Sequence, residues 1–329
     1  MSSRILSTRA EYGQTLVRLG ERSRDIVVLD ADLSGSTCTN AFAKRFPERF
    51  FNMGISEQDM ICTAAGMSLA GKIPFASSFA IFATGRCWEQ IRNAVALPGC
   101  NVNIVATHGG VTVGKDGASH QALEDVAIMR AIPTMTVIVP CDAVETRKAI
   151  EAAAWYDGPV YIRLTRENLP VIYDEASPFR IGVGSIVRAG DDLTIFAVGL
   201  MLHIAREAAD LLQREGISAR IANVSTLKPI DASLVASCAE ETGCAVTAEE
   251  HNITGGLGDA VGEVLLKTHP VPMERVAVND AFGRSGDPKD LLRYFDLTPE
   301  AIVQASKRAI ERKHALAARA KDRKHATPA

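Results

Sequence analysis

Residues 102–125 read VNIVATHGGVTVGKDGASHQALED. The opening run Val102–Thr107 is short, apolar and β-branched, the pattern of a strand covered on both faces. It passes directly into a loop carrying Gly109, Gly110, Gly114 and Gly117 around His108, Lys115, Asp116 and His120. Glycines at this density let a backbone approach a ligand closely, and the polar side chains exceed what a simple turn needs. A lone histidine carries little information. Two of them with an aspartate in one glycine loop favour a site.

The same alternation of apolar run and helical pattern extends in both directions. Further strands are expected at Ile26–Asp30, Thr136–Val139, Val160–Leu164, Leu193–Val198, Arg220–Val224, Ala245–Ala248 and Arg275–Val278. Between them lie helical patterns at Glu57–Ala70, Trp88–Leu97, Asp142–Trp155, Leu202–Glu215, Asp231–Glu241 and Leu257–Lys267. Apolar strands separated by helices imply an α/β chain of two domains, each a mostly parallel sheet flanked by helices. The 329 residues suffice for two ordinary domains. The weakly periodic YDEASPFRIGVG segment, Tyr173–Gly184, marks the boundary. The expected units are 1–175, 185–315 and a disordered tail at 316–329.

Other segments bear on chemistry. In NMGISEQDMICTAAGMSLAGKIP (52–74), Ser56 is the expected N-cap, Glu57 and Asp59 lie in the first turn, and Gly71 closes the helix. Its Ala64, Ala65, Gly66, Ser68 and Ala70 allow another backbone to pack closely. By local sequence alone, Glu57 reads as a first-turn acid that complements the helix dipole. Phe79 and Phe82, spaced i, i+3, read first as core aromatics, with a flat heteroaromatic ligand as the rarer explanation. In VYIRLTRENLPVI (160–172), Arg166 stands just past a strand's carboxyl end, where open α/β sheets bind ligands. It serves there as a surface ion pair or as a phosphate ligand, with Arg9 and Ser36 as its candidate companions. The turn in EEHNITGGLGDAVGEVL (249–265) has neither a dinucleotide fingerprint nor a P-loop lysine, so it reads as tight strand-to-helix packing.

A net charge of −3 gives no electrostatic reason to expect nucleic acid or an anionic membrane as partner. The seven cysteines form no C-x-x-C pair and no zinc spacing, so no metal ligands are assigned and a reduced, cytoplasmic setting is expected. The N-terminus lacks an apolar core of signal-peptide length, and no apolar run is long enough to span a bilayer.

Taken in order, from STRAEYG (7–13) through GISEQ (54–58) and GKDGASHQALED (114–125) to FGRSGDPKDLL (282–292) and LTPEAIVQA (297–305), these segments resemble the transketolase family. The likeness is to its pyrimidine-binding and C-terminal domains and covers nearly the whole chain. It implies transfer of a two-carbon ketol unit from a ketose phosphate to an aldose, with thiamine diphosphate and a divalent metal (magnesium, calcium or manganese). It assigns Glu57 to N1′ of the cofactor's aminopyrimidine, where a carboxyl group tunes protonation. It also assigns Phe79, Phe82 and Asp32 to the cofactor, Arg9, Ser36, His108 and Arg166 to the sugar phosphate, and Asp116 and His120 to substrate hydroxyls, His120 also with a catalytic role.

Three departures from the family pattern bear on which sugar is used: Lys115 in place of an acid, Ala118-Ser119 in place of Pro-Thr or Pro-Ser, and Gly85 where some members carry a third aromatic. The alignment at Gly85 calls for a one-residue insertion. The family's diphosphate-binding domain carries Gly-Asp-Gly with a downstream asparagine for the metal, and Gly-Asp-Gly occurs nowhere in this sequence. The resemblance therefore implies an N-terminal partner subunit supplying the metal ligands, in an α2β2 heterotetramer, without which the chain is inactive. Competing expectations are a deoxyxylulose-phosphate-synthase-like ketol transferase, a 2-oxoacid dehydrogenase beta subunit and, outside catalysis, a regulatory or assembly subunit.

Overall fold

Ile26–Asp30 is buried along its whole length, as a continuous apolar strand covered on both faces should be. In the computed structural model, which describes residues 4–325, it lies inside a seven-stranded sheet. The strand order is Thr226–Lys228, Thr136–Ile138, Val160–Arg163, Asn103–Ala106, Ile73–Ser77, Ile26–Asp30, Phe50–Asn52. Every neighbouring pair is parallel except the first. A five-stranded sheet follows the order Met273–Val278, Ala245–Asn252, Leu193–Ala197, Ala219–Asn223, Ser185–Arg188, with only the last pair antiparallel. Helices flank both sheets, giving two domains.

The expected strands are present, with Ala245–Asn252 extending past its expected end at Ala248. Several strands are additional. Ile73–Ser77 contains Pro74, which argues against a strand from sequence, but pairing with Asn103 begins only at Phe75. Phe50–Asn52 has three residues on the sheet edge, too few to show a period. Ile5–Ser7 and Asn168–Pro170 form a short antiparallel pair that ties the start of the chain to the end of the first domain.

Thr226–Lys228, contributed by the second half of the chain, pairs antiparallel with Thr136–Ile138 and completes the first sheet. Val139 N–H donates to Ser225 O at 2.7 Å beside it. One hydrophobic core runs through this seam and includes Val137, Val139, Phe196, Val224 and Leu257.

The expected helices stand within a residue or two of their predicted bounds, with one exception. After Trp88–Gln90 the chain widens into π-helical winding over Ile91–Ala96, and a second π-helical turn covers Phe82–Arg86. Such turns insert a residue into a helix, and the second contains Gly85, where the family likeness calls for an insertion. Ser56 occupies the N-cap position of Glu57–Leu69, but its side chain makes no capping hydrogen bond. The last helix, Pro299–His325, runs through residues 316–325 of the stretch expected to be a disordered tail, where the alanine-rich sequence offers no helix breaker. Residues 326–329 lie outside the described residues.

Candidate active site

Parallel strands end in loops on one edge of the sheet, and that edge of the first sheet gathers the polar residues. After Ile26–Asp30 the backbone turns left-handed at Asp32 (φ 63°), and after Asn103–Ala106 it does so at His108 (φ 60°). Left-handed backbone is costly at non-glycine residues and concentrates at functional positions. Glu57 starts the helix after Phe50–Asn52 and is only 3% exposed. Its carboxylate accepts from Ser78 Oγ at 3.3 Å and from Arg86 Nη1 at 2.9 Å.

An aromatic group borders this carboxylate. Phe79 stacks on His108 with centroids 3.8 Å apart, and on Phe82 at 6.0 Å. His120 meets the Phe82 ring edge-on at 5.1 Å, and its Nδ1 lies 2.9 Å from Ser119 Oγ. A buried carboxylate beside a half-buried phenylalanine ring suits a flat heteroaromatic ligand with a protonatable ring nitrogen. It suits apolar packing poorly, because a carboxylate taken out of water is costly unless charged or hydrogen-bonding groups accompany it. Among the described residues, no group of three or more His, Cys, Asp or Glu side chains is arranged to hold a metal ion.

Cations stand next to the aromatic group. Arg9 donates through Nη1 to Ser36 O at 2.7 Å and through Nη2 to Arg166 O at 3.0 Å, while its Nε is buried without a partner. Arg166 reaches Val113 O and, at 3.4 Å, Asp116 Oδ2. Burial, together with the nearby charge of Arg166, pushes the Arg9 guanidinium below its usual value. Burial pushes His108 down to about 3, and the charges of Arg9, Arg166 and His120 add to that. His108 is therefore neutral at physiological pH, with Nδ1 2.7 Å from Thr107 Oγ1. Two guanidiniums around a neutral imidazole form an electropositive recess suited to a tetrahedral anion.

The structure thus brings together Glu57, Phe79, Phe82, His108 and His120 on one side, and Arg9, Ser36, Arg166 and Asp116 on the other. Asp32 stands on the exposed rim, where its carboxylate accepts from Asn52 Nδ2 at 2.9 Å. Two of the loop glycines, Gly109 and Gly110, also have a packing reason. A Cβ on Gly109 would lie 2.5 Å from Arg163 Nε, and one on Gly110 (φ +91°) would overlap the Glu250 carboxylate. Arg163 donates to Asp125 Oδ2 at 2.8 Å and to Glu250 O at 2.9 Å, and Glu250 Oε1 accepts from Thr112 N at 2.7 Å. The loop is pressed onto a buried network that joins the domains.

Sequence reasoning missed Arg86, which contacts Glu57 and lies 4.3 Å from the Phe82 ring centroid. Its spacing four residues beyond Phe82 was the available signal. At the second domain's glycine turn, Glu249 accepts from Leu257 N at 2.7 Å and Gly258 N at 2.8 Å, so the chain's own carboxylate fills the helix N-terminus.

Comparison with known proteins gives the family. Residues 5–171 match the family profile "Transketolase, pyrimidine binding domain", and residues 182–302 match "Transketolase, C-terminal domain". A Methanocaldococcus jannaschii protein named as a transketolase C-terminal section is 51% identical over 90% of this chain and 94% of its own length. The 6-deoxy-6-sulfo-D-fructose transketolase subunit SqwH of Clostridium sp. is 41% identical, covering 93% of this chain and 95% of that one. A solved structure described as "Split gene transketolase, inactive beta4 tetramer" superposes with a TM-score of 0.88 at 51% identity, covering 94% of this chain and 99% of that one. With both family domains present in order and relatives of matching length, the chain belongs to the thiamine-diphosphate-dependent transketolase family, as a C-terminal section of the split type.

Proposed function

We propose that this chain is the C-terminal subunit of a two-subunit transketolase and completes its thiamine diphosphate site only with an N-terminal partner. The observation that carries the reading is the buried Glu57 carboxylate beside Phe82, with the Arg9–Arg166 recess next to it. When bound, thiamine diphosphate supplies the carbon that carries the two-carbon ketol unit. Glu57 holds the proton at N1′ of the aminopyrimidine, Phe79 and Phe82 border that ring, and Asp32 lies on the rim toward the partner. Arg9, Ser36, His108 and Arg166 hold the sugar phosphate. Asp116 and His120 orient sugar hydroxyls, and His120 also exchanges protons with the substrate. The partner supplies the ligands of a divalent metal, magnesium, calcium or manganese, within an α2β2 heterotetramer in the cytoplasm.

Titration calorimetry with thiamine diphosphate and magnesium tests this on the chain alone and on its mixture with a Gly-Asp-Gly-bearing N-terminal subunit. Binding and turnover are expected only in the mixture, because the diphosphate and metal ligands come from the partner. Alone, the chain is expected to self-associate without turnover, like the inactive beta4 tetramer of the 51% identical split-gene protein. Tight binding and turnover by the isolated chain would overturn the split-enzyme reading. A second reading concerns the donor. The likeness to a sulfo-fructose transketolase subunit favours testing 6-sulfo sugars beside sugar phosphates, since both present a tetrahedral anion to Arg9 and Arg166.

A further inference from the structure

The Glu57 carboxylate is already paired. Arg86, in the π-helical turn Phe82–Arg86, places Nη1 2.9 Å from Glu57 Oε2. Its guanidinium carbon sits 4.3 Å from the Phe82 centroid, so the cation spans the ring on its way to the carboxylate. The two ends of the pair differ sharply in solvation: the Glu57 side chain is 3% exposed and that of Arg86 49%. The other side-chain donor to the carboxylate, Ser78 Oγ at 3.3 Å, makes a long, weak bond. Without Arg86, the chain would carry a nearly buried carboxylate with one marginal partner. With it, the carboxylate is neutralised by a group that can leave into water, since half the arginine side chain is already there.

From this geometry we infer that Arg86 is a displaceable counterion. It satisfies Glu57 while the pyrimidine site is empty and is released from the carboxylate when the cofactor's aminopyrimidine takes its place. The inference rests on the proposed role of Glu57. The oxygens of one carboxylate and the face of one phenylalanine ring are the features an aminopyrimidine needs, and the guanidinium covers both. A guanidinium on a ring face is held by cation–π attraction, and one on a carboxylate by a charge-assisted hydrogen bond. Neither contact survives a heteroaromatic ring lying between them. The π-helical turn supplies the reach by setting Arg86 one residue further along than regular winding would. Gln58 Nε2 donates to Arg86 O at 3.1 Å and anchors the backbone, so the side chain alone has to move.

A competing counterion lowers the apparent affinity for the ligand by the fraction of time the site is blocked. Thiamine diphosphate with magnesium, titrated calorimetrically into the assembled two-subunit protein, should therefore bind Arg86→Ala about three- to tenfold tighter than wild type. Arg86→Lys, which keeps the charge, should return toward wild type. On the isolated chain, a double-mutant cycle of Arg86→Ala and Glu57→Gln, read by urea unfolding, should show positive coupling. Arg86 is half exposed, so the substitution leaves the fold intact, and the Lys variant provides a folded control.

Affinity that is unchanged or weaker in Arg86→Ala overturns the inference: unchanged means the pair does not compete, and weaker means Arg86 supports the bound cofactor. Absence of coupling in the isolated chain overturns it as well. If neither wild type nor variant assembly binds the cofactor while the coupling persists, the proposed function itself fails, and the ion pair is then a structural contact with nothing to release.

Discussion

The two domains present the same edge of the same kind of sheet and use it in opposite ways. In the second domain, the glycine turn after Ala245–Asn252 is filled by the chain itself: Glu249 accepts from Leu257 N and Gly258 N, and a Cβ on Gly256 would overlap Glu249 Oε2. The helix N-terminus, elsewhere an anion site, has its anion built in. In the first domain, the corresponding edge leaves its polar groups under-used: Arg9 Nε is buried without a partner, and Glu57 relies on a half-exposed arginine and a long serine bond. The fold is shared, so the chemistry resides in which groups are left unsatisfied.

The largest test of that contrast is at Glu57. With the partner present, Glu57→Gln should fold and still bind cofactor but lose turnover by roughly 10²–10⁴, the usual cost of removing a general acid–base group. Exchange of the cofactor C2 proton, followed by NMR, isolates the step. Exchange at the wild-type rate would detach Glu57 from the chemistry and place it with Glu249 as a structural carboxylate.

Glu249→Ala is the mirror experiment. It leaves two buried helix amides without their acceptor, at a cost of about 2–3 kcal/mol, and should lower the melting temperature by roughly 5–10 °C. Turnover per folded molecule in the assembled enzyme should be unchanged. A loss of turnover without a loss of stability would mean that the second edge is also a site.

How much of this was legible in sequence depends on the range of the interaction. Apolar runs such as Ile26–Asp30 and Leu193–Ala197 announce their strands because burial on both faces is written locally. Thr226–Lys228 could not be read this way, since a three-residue strand that crosses to the other domain's sheet has no local period. Phe79, Phe82, His108 and His120 carried a signal through type and spacing. Arg86 carried only its four-residue spacing from Phe82, because its partner Glu57 is 29 residues away and a π-helical turn sets the approach. The loop glycines were visible, but the packing of Gly109 and Gly110 was not: Arg163 and Glu250 reach them from distant parts of the chain.

The electropositive recess gives a smaller effect. Arg166→Ala should raise KM for phosphorylated donors about 10- to 100-fold, with little change for non-phosphorylated donors, because only a charge-assisted contact is lost. Equal losses on both donor classes would make Arg166 a brace for Asp116 and the Val113 carbonyl, to which it is already bonded.

The smallest effect is a pH dependence confined to this edge. His108 is pushed down to about 3 in the folded chain by burial and by the charges of Arg9, Arg166 and His120. The unfolded chain takes up that proton near the ordinary histidine value of about 6.5. Between these values the unfolded state binds more protons than the folded one. The contribution of His108 to stability is therefore complete above about 6.5 and declines as pH falls toward 3. Asparagine does not titrate, so His108→Asn should lose less stability than wild type between pH 7 and pH 5. Urea unfolding of both proteins at the two pH values measures the difference, expected at about 1 kcal/mol once solvent screening is allowed for. Equal losses in the two proteins would mean that His108 titrates normally. The recess would then be open enough to water to screen its two guanidiniums, and the contrast between a filled edge and a poised one would weaken at its electrostatic end.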